Sequence, residues 1–84
     1  MIDKHVGTVS ILVKERTCIK QVNQILSEHH DMIMGRIGFP YHEKGLHVIS
    51  VIIEGSSCDI EGLTGKLDKL DDVCTKSVVL TTEL

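Results

Sequence analysis

The chain has 84 residues, 42% hydrophobic and 25% charged, with a formal net charge of −3. That length supports one domain over 1–84 with one modest core, and the composition is that of a globular chain. Nine basic residues scattered among twelve acidic ones argue against direct nucleic-acid contact, which needs clustered Lys and Arg; the longest apolar runs, such as 48–53, are too short to cross a bilayer.

The opening stretch 5–13 (HVGTVSILV) alternates Val9, Ile11 and Val13 with Thr8, Ser10 and Leu12. This predicts a half-buried strand with a second, partly polar face. The period then changes. Over 17–29, Cys18, Val22, Ile25 and Leu26 mark one helical face, and Lys20, Gln21, Asn23, Gln24 and Glu28 the other. Thr17 is the expected N-cap.

A second strand is expected over 33–39 (IMGRIGF), with Ile33, Ile37 and Phe39 on one parity and Met34 and Arg36 on the other. Gly35 and Gly38 suggest a bulge or a close backbone approach. Pro40 removes a ladder donor and places this strand at a sheet edge. The polar connector 41–45 ends in Gly45, suited to the positive φ of a hairpin turn.

The run 46–54 (LHVISVIIE) is the most β-branched of the chain and reads as a central strand, buried on both faces over 48–53. Ser56 and Asp59 have capping-box spacing and open a second helix. Ile60, Leu63, Leu67 and Leu70 form its apolar stripe. Gly62 and Gly65 lie inside it, as if to let a neighbour pack closely. Asp71 and Asp72 end the helix, and 73–81 is the last strand.

The order is βαββαβ with short connections. It predicts an α+β, ferredoxin-like domain, a four-stranded antiparallel sheet with both helices on one face. The other face is expected to carry Thr8, Ser10, Leu12, Met34, Arg36, Val48, Ser50, Ile52, Lys76, Val78 and Leu80. A face that apolar points to an interaction surface and to a homo-oligomer, a dimer or a tetramer.

The chemistry-bearing residues are few. His29, His30 and His42 are the weak metal candidates; no zinc-type spacing joins them, and imidazole near a helix C-terminus is commonly structural. Cys18, Cys58 and Cys74 are widely spaced and form no CxxC, so reduced thiols in a cytoplasmic protein are expected. Cys18 reads as a small buried hydrophobe, and Cys58 is the one thiol for an enzyme reading. No Ser-His-Asp set, catalytic carboxylate pair or phosphate loop assembles, so the chain is expected not to be an enzyme. A ligand or interface site is expected around Arg36, Gly38 and Tyr41. Nothing in the pattern names a cofactor.

The stretch 33–53, IMGRIGFPYHEKGLHVISVII, resembles the small regulators of the iron-only ([FeFe]) hydrogenase system. The later GLTGKLDKLDDVCTKSV, 62–78, is also similar to their second helix and final strand. The resemblance implies an ACT-like fold, homo-oligomerisation, and a regulatory role exercised through a small-molecule effector or a partner. The chain is similar, too, to the C-terminal domain of nickel-responsive repressors, which carry a similar HHD after the first helix. Where those have the strand ligands, this chain has Gly38, Pro40 and Leu46, which counts against nickel sensing in their manner. Amino-acid-binding ACT domains often have a Gly-containing turn after the first strand, which Lys14-Glu15-Arg16 lacks.

Overall fold

The computed structural model describes residues 4–81. Strand β1 (His5–Val13) runs into a 3₁₀ turn (Arg16–Cys18) and helix α1 (Ile19–Glu28). A second 3₁₀ turn (His30–Met32) leads to β2 (Ile33–Tyr41), and a third (His42–Lys44) makes the hairpin to β3 (Leu46–Gly55). Helix α2 (Ser57–Asp68) and β4 (Val73–Thr81) complete the chain. The sheet order is β2-β3-β1-β4, antiparallel throughout.

One face of this sheet makes the core. Val9, Ile11 and Val13 of β1 meet Ile49, Val51 and Ile53 of β3, and Val22, Leu26, Ile60, Leu63 and Leu67 descend on them from the two helices. All are aliphatic, and no charged or polar residue is buried among them. Burying such a side chain stabilises the fold by about 1.5–3 kcal/mol. Cys18, partly buried against this core, is the small hydrophobe its position suggested.

The second helix begins as the sequence indicates. The Ser56 hydroxyl accepts from the Asp59 amide at 3.1 Å, and the Asp59 carboxylate accepts from the Ser56 amide at 3.1 Å. Gly45 sits in the left-handed region at φ 67° and closes the hairpin. The first helix departs from expectation. A 3₁₀ turn precedes it, Cys18 is its N-cap, and Thr17 makes no capping bond.

Three further expectations are corrected. The bulge in β2 lies at Met34: Ile33 pairs with Ile53, but Gly35 already pairs with Ile52. One extra residue inverts every side chain beyond it. Arg36 therefore shares the helix-covered side with Val51, while Ile37 and Phe39 share the open side with Ser50 and Val48. Second, β3 is central but not buried on both faces: Ile52 is 51% exposed, while Ile53 beside it is fully buried. Third, a Cβ at Gly62 or Gly65 would meet nothing within 4 Å, so neither glycine admits a neighbour within the described chain. The same open space surrounds Gly35 and Gly38.

Candidate functional site

The uncovered sheet face is the most distinctive surface of the molecule. The pairing registers place Thr8, Ser10 and Leu12 of β1 beside Ile52, Ser50 and Val48 of β3, and beside Val78, Lys76 and Cys74 of β4. On the far side of β3, the β2 bulge adds Ile37, Phe39 and Tyr41. Ile37 is 75% exposed and Phe39 56%. Phe39 and Tyr41 meet edge to face, ring centroids 5.5 Å apart, so both of the chain's aromatic rings stand together here. Lys76 stands halfway along the edge strand β4, at the margin of this face, and Glu54, ion-paired to Lys4 at 2.8 Å, lies at its end.

The three residues expected to form one site are divided by this geometry. Tyr41 stands on the open face. Arg36, on the helix side, donates from Nη2 to the Asn23 Oδ1 of α1 at 3.0 Å, so it braces the edge strand against the helix. Gly38 is exposed, also on the helix side of the edge strand β2. Ile37 and Phe39 belong to the open face and were not legible there, because strict alternation assigns them to the core side. The signal for the inversion is Gly35, next to the bulged residue.

The histidines do not converge. His29 and His30 follow α1 at one end of β2, and His42 lies beyond its other end. Eight residue steps at about 3.3 Å separate the two ends by roughly 26 Å. His30 is taken up locally, with Nδ1 3.0 Å from the Ser27 carbonyl and Nε2 3.1 Å from Asp31. Among the described residues no group of three or more His, Cys, Asp or Glu side chains is arranged to hold a metal ion. Cys58 and Cys74 are exposed thiols, and the Cys18 thiol donates to the Asp71 carbonyl at 3.2 Å.

Two hollows lie at the ends of the sheet. The larger, about 540 Å³, is framed by Glu28, Asp31, Glu54 and Asp59, with Lys4 and His29 among them. All four of its carboxylates have partners: Glu54 with Lys4, Asp59 with the α2 cap, Asp31 with His30, and Glu28 with Lys66 at 3.9 Å. The smaller, at the hairpin end, is basic.

Residues 5–77 match the TM1266-like family, described as a regulator of the iron-only hydrogenase system. The chain belongs to that family. No curated protein matches its sequence. Among solved structures, the uncharacterized protein TM1266 from Thermotoga maritima superposes with a TM-score of 0.89 at 28% identity, over 93% of this chain and 99% of that one. The ACT domain of the GTP pyrophosphokinase of Chlorobium tepidum gives 0.72 at 15% identity, over 92% and 89%. A nitrogen regulatory PII-like protein from Thiomonas intermedia, solved with ADP, AMP and bicarbonate, gives 0.51 at 11% identity, over 95% and 100%. The fold is thus α+β, ferredoxin-like and ACT-like, and the described residues hold no helix long and apolar enough to cross a membrane.

Proposed function

We propose that this chain is a non-catalytic, cytoplasmic regulator of the iron-only hydrogenase system, working as a homo-oligomer that responds to a small-molecule effector. Family membership supports the system. The observation that carries the mode of action is the uncovered face, where Ile37, Phe39, Tyr41, Val48, Ile52 and Val78 are all more than a third exposed. Contiguous apolar surface of this kind on a small domain is characteristic of an interaction site. A second copy is the fitting occupant, because the charges on the face lie at its margins, Lys76 on the edge strand β4 and Glu54 at the strand ends, so two copies can pair over its apolar centre. A domain of this size also gains buried area most readily by oligomerising. Tyr41 would lie in that contact, with Arg36 and Gly38 at the β2 edge beside it. The effector reading draws support from the fold, which the nucleotide-bound PII-like protein shares.

Native mass spectrometry of the untagged protein, from low to high collision energy, tests this reading. The expected result is a dimer or tetramer, with any effector retained at low energy. A monomer at every accessible concentration would overturn it. Deleting the chain from its host tests the target: hydrogenase activity or maturation should change.

A further inference from the structure

The basic hollow at the hairpin end is small, about 150 Å³, and more enclosed than the acidic one. Three separate segments build it. The register Val13–His47–Pro40 sets His47 on the helix-covered side of the sheet, at the last rung of the β1–β3 ladder. The turn after β1 brings Arg16 and Ile19 to it, and the hairpin brings His42. Ile19, Pro40 and Leu46 give it an apolar wall, and no carboxylate lines it.

We propose that this hollow binds a small oxyanion, a carboxylate or a phosphate, with any short apolar part of the ligand against Ile19, Pro40 and Leu46. The chain's donors differ in whether they are already committed. The chain has two arginines, and Arg36 is bonded to Asn23. Arg16 makes no side-chain hydrogen bond or ion pair to any described residue, nor do His42 and His47. His5 and His30, by contrast, have partners. A guanidinium offers a planar fork of N–H donors that matches the two oxygens of a carboxylate or phosphate, and each imidazole adds one N–H donor. Three uncommitted donor side chains lining one hollow that has no carboxylate of its own describe a site that an anion can enter without a competing negative charge. His47, Pro40 and Ile19 set the hollow at the hairpin end on the helix side, with Leu46, the partner of Tyr41, at its rim, so it is built within one copy. Within the regulatory reading it is where an effector would enter.

The test is titration of the ¹⁵N-labelled full chain with inorganic phosphate and, separately, with butyrate, followed by amide chemical shifts. Saturable shifts centred on Arg16, His42, Gly45 and His47 are expected with at least one of the two. Phosphate alone would point to a phosphorylated ligand, and butyrate alone to an aliphatic acid resting on the apolar wall. Arg16→Gln should weaken the response roughly tenfold or more, as loss of a charge-assisted pair does. Lys66→Gln, which removes the same charge from α2, should leave it unchanged. Arg16 is exposed, so its variant should keep the fold, which its amide spectrum verifies. Non-saturating shifts spread over the surface with both anions, or equal weakening by Arg16→Gln and Lys66→Gln, would overturn the proposal.

Discussion

At the residue scale, the glycines divide by what surrounds them. Gly7 lies in β1 directly against β4, and a Cβ there would collide with the Val78 carbonyl oxygen. That oxygen belongs to backbone held in a ladder and cannot swing aside. Gly7→Ala should therefore destabilise the domain by about 1–3 kcal/mol, the usual cost of forced overpacking. Gly62 and Gly65 are the opposite case, helical and facing open space. Replacing either with Ala removes backbone freedom from the unfolded chain without a clash, and should stabilise by roughly 0.4–1 kcal/mol. Urea denaturation of the three single variants checks both signs. A loss of stability at Gly62 or Gly65 would mean that something outside the described chain packs there.

At the element scale, the sequence was most informative where one local rule acts alone. The capping box at Ser56 and Asp59, the left-handed Gly45, and the stripe Ile60, Leu63 and Leu67 are each set by neighbours within a turn or two. Ser56→Ala should therefore cost about 1 kcal/mol, read as a lower thermal midpoint, with Ser57→Ala as the comparison at the rival cap. The candidate face was only half legible. Its β1 and β3 members, and Lys76 and Val78 of β4, follow from strict alternation; Leu80 does not, because the β1–β4 register shifts between Val79 and Thr81 and leaves it without a partner strand residue. Its β2 members do not, because one inserted residue at Met34 reverses the parity of all that follow, and Ile37 and Phe39 look like core residues from spacing alone. Nor can a run such as VISVII reveal whether both of its faces are covered. β-branched residues suit a strand packed on either side, and only the count of layers decides. The basic hollow was invisible for a different reason. Arg16, His42 and His47 come together through sheet register and the path of the turn after β1, neither of which has a sequence spacing.

At the scale of the whole molecule, the open face decides how copies meet. Four strands about 4.8 Å apart and nine residues long at about 3.3 Å per residue span roughly 500–600 Å² of flat area. Side chains standing on that area raise its accessible surface toward the roughly 800 Å² that each partner gives to a standard interface. One face is thus sufficient for a specific dimer, and a single charge placed on it should be felt. Ile37→Glu is the sharpest probe. Ile37 is 75% exposed and lies on the edge strand, so the isolated domain loses almost no burial when it changes. In a face-to-face dimer the new carboxylate would be desolvated without a partner, at a cost of about 3 kcal/mol or more. At 1.4 kcal/mol per tenfold, that is a rise of at least roughly 100-fold in the dimer dissociation constant. Sedimentation velocity should show the wild type associated and the variant monomeric at the same concentration, with unchanged secondary structure by circular dichroism. Arg36→Gln, one residue away but on the helix side, should remain associated. If Ile37→Glu still pairs as tightly as the wild type, the copies meet along an edge, and the open face is left for a partner of another kind.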